Sequence, residues 1–417
     1  MMQSIEISVC ISQNIYSEDK KRDHFERGGF SLPFLWFFLY SEYPLEKMID
    51  VVSILFSTFI FSPILPVSNL FFILASLIAA FILTLILMPP GIRLLQRLKM
   101  GKQIREEWLI GKAIEFSKLH GGKAGTPTMG GVFILVTVII LTIFSIGVNL
   151  LSPWLDANFG ESISHSLWNR NETYIVIFTL LSVGAIGMID DYLNIRWVGK
   201  TKWLSARVKT ILLTIFWLIG AYWFYAKLWY STVQIPFFGE MDLWYMYIPL
   251  FVLILYSWAN SVNITDGLDG LAGGLLMFQY AAYGFITYSM WLFILSAFCL
   301  IITWALMAFL WFNIHPARVF MGDIGSLSLG ATLAVIAMMT DTLLGFVVMS
   351  GIFILETLSV IVQMLSKKFR NGKKIFRIAP FHHHLEAIGW QEETIVMRLW
   401  LVGMVLAVAG TMIIMVQ

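Results

Sequence analysis

The sequence predicts an all-α fold, a polytopic integral membrane bundle of about ten transmembrane helices with its polar residues gathered at the cytoplasmic face. Three observations carry that prediction. Of 417 residues, 58% are hydrophobic and only 13% charged, whereas a soluble domain usually carries about a quarter charged residues. Mean hydropathy is +0.79. Apolar runs of about 20 residues, the length a helix needs to cross the hydrocarbon core, recur from residue 69 onward. Each run is expected to be helical, because lipid offers an unpaired amide no partner and the chain lacks the alternation of a barrel. The composition excludes disordered, collagen-like, disulfide-framework and freely soluble proteins. Cys10 and Cys299 are too few and too far apart for a framework or a CxxC metal site.

In order, the expected spans are 69–90, 129–150, 173–189, 208–228, 244–260, 271–288, 290–311, 326–340, 343–365 and 397–416. The first is followed at once by Arg93, Arg97, Lys99 and Lys102. Segments rich in Lys and Arg stay in the cytoplasm, and such segments lie at 91–128, 190–209 and 366–398. The connections at 151–172, 229–243 and 341–342 carry only Arg170 among them. Alternation from an outside start therefore puts every basic segment on the cytoplasmic side, together with the connections at 260–270 and 312–325. Residues 1–68 are expected to form an N-terminal extension with an interfacial helix on the outer leaflet. They show no cleavage-site pattern, and their charged stretch is too long for a signal peptide. The membrane domain proper is then 69–417.

The acidic residues of such a bundle belong in watery loops, yet here they gather at cytoplasmic helix ends, a placement that is functional by default. Asp190 and Asp191 end the third span, and by themselves read equally as a solvated helix end. Asn260, Asn263, Asp266 and Asp269 repeat every three residues, an oxygen-rich pattern suited to a hard cation or a nucleotide, with Gly267 and Gly270 allowing close backbone approach. Asp323 stands between glycines at the start of the eighth span, where an N-cap is the plain alternative. His382, His383 and His384 are consecutive and cannot all point one way on a helix, so an HxxxH zinc site is not indicated. Lys123, Gly125, Thr126 and Thr128 make a glycine-rich turn with a weak phosphate-binding signal. Glu356, midway in the ninth span, is expected to face the bundle and pair internally. Carboxylates and lysines that share one pocket near the membrane surface suit Mg²⁺-assisted phosphoryl transfer.

Several strings in one order then carry a resemblance. They are GTPTMGG at 125–131, DDY at 190–192, NITDGLDGLAGG at 263–274, FNIHPARVFMGDIGSLSLG at 312–330, ETLSV at 356–360 and FRIAPFHHHLEAIGW at 376–390. These are similar to the strings of the phospho-N-acetylmuramoyl-pentapeptide transferases, the MraY family of the polyprenyl-phosphate N-acetylhexosamine-1-phosphate transferase superfamily. The resemblance implies a multi-pass enzyme of the bacterial cytoplasmic (inner) membrane with its active site facing the cytoplasm. It implies transfer of phospho-MurNAc-pentapeptide from UDP-MurNAc-pentapeptide to undecaprenyl phosphate, yielding lipid I and UMP with Mg²⁺. By the same matching, Asp190, Asp191 and Asp323 are the core acids, with Asp323 the Mg²⁺ ligand and Asp190 or Asp191 assisting the lipid phosphate. Gly267, Leu268, Asp269 and Phe320 fall in the uracil pocket, with Asn260, Asn263, Asp266 and Asn313 nearby. Lys123, Thr128, Lys209, His382 and His383 fall at further active-site positions.

One departure is Asn194, where the family commonly has lysine, and Lys200 or Lys202 is expected to replace that charge. The implied partners are the two substrates and membrane lipid, with no nucleic acid and with a homodimer left open. A UDP-GlcNAc:polyprenyl-phosphate transferase is the nearest alternative. A secondary transporter is a different class, disfavoured because the acids sit at the membrane edge and not at its midplane.

Overall fold

The computed structural model describes residues 69–101, 107–108, 111–112, 123, 125–159, 167, 171–196, 206–227, 231–235 and 239–416. The interfacial helix expected within 1–68, and Lys200 and Lys202, lie outside the described residues. The helices are α1 (Asn69–Arg97), α2 (Gly131–Phe159), α3 (Asn171–Arg196), α4 (Ala206–Lys227), α5 (Tyr247–Thr265), α6 (Leu271–Ser289), α7 (Phe293–Asn313), α8 (Gly322–Met339), α9 (Leu343–Met349), α10 (Gly351–Phe369), α11 (Phe381–Ala387) and α12 (Glu392–Met415). Two short antiparallel hairpins, β1 (Glu107–Trp108) with β2 (Gly111–Lys112) and β3 (Thr232–Ile235) with β4 (Gly239–Asp242), lie between helices.

Eight of these helices are long and apolar enough to cross a membrane, and the bent pair α9–α10 raises the number to nine among the described residues. The sixth expected span is present as α6 but is not among these eight, its run of apolar residues being interrupted by glycines, tyrosines and Gln279. Its polar groups are answered inside the protein. The Tyr280 hydroxyl donates to Leu329 O at 2.8 Å and Gln279 Nε2 to Met349 O at 2.9 Å.

The ninth expected span, 343–365, is not continuous: α9 and α10 meet at Ser350 with a bend of 74°. A Ser-Gly pair at 350–351 is one of the few sequences that break a helix without proline. Trp258 Nε1 and Gln279 Nε2 donate to Ser350 Oγ at 2.9 and 3.2 Å, so the break has hydrogen-bond partners from α5 and α6. Helix α1 runs past Pro89 and Pro90 to Arg97, beyond its expected end.

Helix α8 is the axis of the bundle, with 89% of its span window buried against 28% for α1, α4 and α12. Outer faces carry exposed Leu74, Ile143, Ile215, Leu253 and Val405. An apolar exterior this extensive has no place in water and suits lipid. Helices α3 and α8 pack at backbone distance through Gly187, where a Cβ would lie 2.4 Å from Asp323 O. Small residues at such crossings are how membrane helices gain van der Waals contact.

Candidate active site

The polar side chains of interest come from one end of the bundle, the C-terminal ends of α3, α5 and α7 and the N-terminal ends of α4, α8 and α12. Alternation of chain direction along the sequence brings these ends together. Three connected groups of side chains result.

The first group holds the core acids. Lys209 Nζ, from the first turns of α4, donates to Asp190 Oδ2 at 2.9 Å and to Asp323 Oδ2 at 2.5 Å. Asn263 Nδ2 donates to Asp323 Oδ1 at 2.8 Å and to Ser326 Oγ at 2.9 Å. Asp191 is buried and its Oδ2 accepts the Ile324 amide at 3.2 Å, in the first turn of α8. A helix N-terminus favours a carboxylate there. Asp190 Oδ1 is buried with no hydrogen-bond partner among the described residues. Among the described residues Lys209 is the cation on these acids; Lys200 and Lys202, expected to replace the charge missing at Asn194, lie outside the described residues.

The second group surrounds Asp269. Lys123 Nζ donates to Asp269 Oδ1 at 2.7 Å and to Glu392 Oε1 at 2.5 Å. His315 Nδ1 lies 2.9 Å from Asp269 Oδ2, which also accepts the Ala317 amide at 3.1 Å. The Asp269 amide in turn donates to Glu392 Oε1 at 2.7 Å. Burial pushes the Asp269 carboxyl up, but the hydrogen bond and charge of Lys123, with the Ala317 amide and His315, outweigh it and hold the group below its ordinary range. Asp269, His315 and Glu392 offer ligand atoms within 4.8 Å of one another, but the Lys123 ammonium already supplies a cation to this set. Asn313 braces the same loop, accepting the Gly270 amide at 3.1 Å and donating to Val319 O at 2.8 Å.

The third group is built on the histidine string, which forms the short helix α11. His382 Nδ1 lies 2.9 Å from Glu356 Oε2, and the His382 amide also donates to that oxygen at 3.2 Å. Both side chains are wholly buried. His383 Nδ1 lies 2.6 Å from Glu386 Oε2. The two imidazoles press on the 266–270 loop: a Cβ on Gly267 would lie 2.3 Å from His382 Nε2 and 3.2 Å from His383 Nε2. Replacing Glu356 with Leu leaves the His382 nitrogen without its partner. The expected cost is about 1–3 kcal/mol, read as a lower thermal midpoint in detergent.

Most sequence-expected residues therefore meet. Thr128 is buried beside the first group, its Oγ1 2.9 Å from the position a Cβ on Gly322 would take. Leu268 and Phe320 are buried, Phe320 in the segment whose carbonyl accepts the Gly130 amide at 2.8 Å. Asp266 caps α5 and is half-buried. Asn260 stands apart, because its Nδ2 bonds back to Tyr256 O at 2.7 Å on its own helix. Helix α5 ends at Thr265 and the chain turns, so the four residues of the every-third pattern divide: Asn263 bonds into the acid group and Asp269 into the second group. Sequence reasoning gave no role to Glu392 or His315, and took Glu356 as merely structural. Glu392 carries no local signal beyond being an acid just before the last expected span.

Comparison with known proteins agrees with this arrangement. The sequence profile of Glycosyl transferase family 4 matches residues 173–341, which defines a membrane glycosyl transferase. The phospho-N-acetylmuramoyl-pentapeptide-transferase signature 1 matches residues 123–135. The chain is 36% identical over 343 residues to the phospho-N-acetylmuramoyl-pentapeptide-transferase of Geobacillus thermodenitrificans, covering 81% of this chain and 96% of the relative. It is 35% identical over 342 residues to that of Bacillus subtilis, covering 81% and 96%, and 40% identical over 341 residues to that of Dichelobacter nodosus, covering 76% and 86%. The chain belongs to the phospho-N-acetylmuramoyl-pentapeptide-transferase family.

Proposed function

We propose that the protein transfers phospho-MurNAc-pentapeptide from UDP-MurNAc-pentapeptide to undecaprenyl phosphate, forming lipid I and UMP for peptidoglycan synthesis, and through it cell shape and division. Residues 69–417 form the transferase domain, in the bacterial inner membrane with the site facing the cytoplasm. The observation that carries the chemistry is that Asp190 and Asp323, from different helices, come close enough to share one cation, the Lys209 ammonium. Mg²⁺ takes one or two carboxylates together with substrate phosphates, and Asp190 Oδ1 is a buried acceptor with no hydrogen-bond partner among the described residues. The donor set is all oxygen, which suits Mg²⁺, held by Asp323 with Asp190 or Asp191. When bound, the ion neutralises charge on the phosphate oxygens.

The chain's own residues do the rest. Asp190 or Asp191 takes the proton from the polyprenyl phosphate. The freed oxygen forms a bond to the sugar-linked phosphorus as the bond to UMP breaks. Lys209 balances charge on the reacting phosphates and Lys123 on the nucleotide side. Gly267, Leu268, Asp269 and Phe320 bind the base, and His382 and His383 back that loop.

Detergent-purified protein supplied with polyprenyl phosphate and Mg²⁺ is expected to release UMP from UDP-MurNAc-pentapeptide, and EDTA to stop the release. Turnover of UDP-GlcNAc without turnover of the muramoyl nucleotide would instead assign the GlcNAc-1-phosphate reaction.

A further inference from the structure

We propose that Glu392, in the first turn of α12, is a positioning residue for the nucleotide-binding loop at 266–270; this rests on the functional reading above. Its Oε1 accepts two donors at once, the Lys123 ammonium at 2.5 Å and the Asp269 amide at 2.7 Å. Lys123 also reaches Asp269 Oδ1 at 2.7 Å. Ammonium, amide and two carboxylates thus close a ring that ties the turn before α2, the loop after α5 and the start of the last membrane helix. Asp269 has one oxygen engaged by Lys123 and the other by His315 and the Ala317 amide. Its carboxylate therefore acts as a strut, and the backbone of 267–269 is left to meet a base. Glu392 locks that backbone from behind.

A merely favourable charge at a helix N-terminus predicts no such specificity. The neighbouring Glu393 has the same helix end, but its side chain is 56% exposed and among the described residues its one ionic partner is His315 Nε2 at 3.4 Å. No hydrogen bond joins Glu392 to Asp190, Asp191, Lys209 or Asp323 among the described residues, so its loss should weaken nucleotide binding and spare the phosphate chemistry.

The test uses the full chain in detergent, with initial rates of UMP release measured against each substrate. Glu392→Ala is expected to raise KM for the nucleotide sugar about ten-fold, the factor of one charge-assisted hydrogen bond. kcat and the KM for polyprenyl phosphate should stay within about two-fold of the parent. Glu392→Gln keeps an acceptor oxygen for the Asp269 amide and should fall between. An unchanged or lowered nucleotide KM in Glu392→Ala, or a loss of kcat on both substrates together, overturns the proposal. Titration with UMP alone separates the two readings. Weaker UMP binding in Glu392→Ala supports the positioning role even if the parent fails to turn over the muramoyl nucleotide, and equal UMP binding overturns it.

Discussion

Asp323→Asn is expected to lower UMP release by about 10²- to 10³-fold, the scale of losing one preorganised electrostatic contact at a reacting phosphate, while the protein still inserts and folds. Asp323 joins the groups on which the site depends. Its Oδ2 takes Lys209, its Oδ1 takes Asn263, and its residue opens the most buried helix of the bundle. Asparagine keeps the shape and one acceptor but gives up the charge. Lys209 then retains only Asp190, and a divalent ion loses one of its two close carboxylates. UMP release measured over a range of Mg²⁺ concentrations, beside size-exclusion elution and thermal midpoint, separates the chemical loss from unfolding. Unchanged turnover would remove Asp323 from the metal site.

Gly187→Ala is expected to cost nearly as much activity without touching a reacting group. The added Cβ would lie 2.4 Å from Asp323 O and 2.7 Å from Ile324 Cα. These are backbone atoms, which cannot rotate away, so α3 and α8 must move apart. Overpacking of this kind costs about 1–3 kcal/mol of stability. The same displacement shifts Asp190 and Asp191, one turn along α3, relative to Asp323 on α8, and a misplacement of about 1 Å can cost about 10²-fold in rate. The expected result is a lowered thermal midpoint together with a collapse of kcat. A variant with parental kcat would show that the acid group tolerates a shift between these helices.

Sequence and structure agree where hydropathy alone decides the outcome. The apolar runs became helices, and the acid clusters with the described basic residues Lys123 and Lys209 fell at one end of the bundle, because span length and alternation leave little freedom. Asp190, Asp191, Lys209, Asn263 and Asp323 were legible as a group for that reason and through the family strings. What escaped were features set by tertiary partners. The bend at Ser350 depends on Trp258 and Gln279, which lie on other helices. Glu392 acquires its role only by meeting residues 123 and 269 positions away in the bundle, and no local pattern marks it. Glu356 was read correctly as internally paired, but its partner His382 is 26 residues on, so the pairing's bearing on the histidine string was hidden. Asn260 and Asn263 both lie within α5, yet Asn260 bonds back to Tyr256 O while Asn263 reaches Asp323, a difference that their spacing does not reveal.

The interrupted helix at Ser350 also bears on how the chain enters the bilayer. Limb α9 has seven residues, about 10 Å of helix at 1.5 Å per residue, a third of the hydrocarbon thickness of about 30 Å. Such a stub cannot be threaded across by itself. Its seat, offered by Trp258 and Gln279, belongs to segments that leave the ribosome earlier, so the order of synthesis lets the stub dock on a wall already standing.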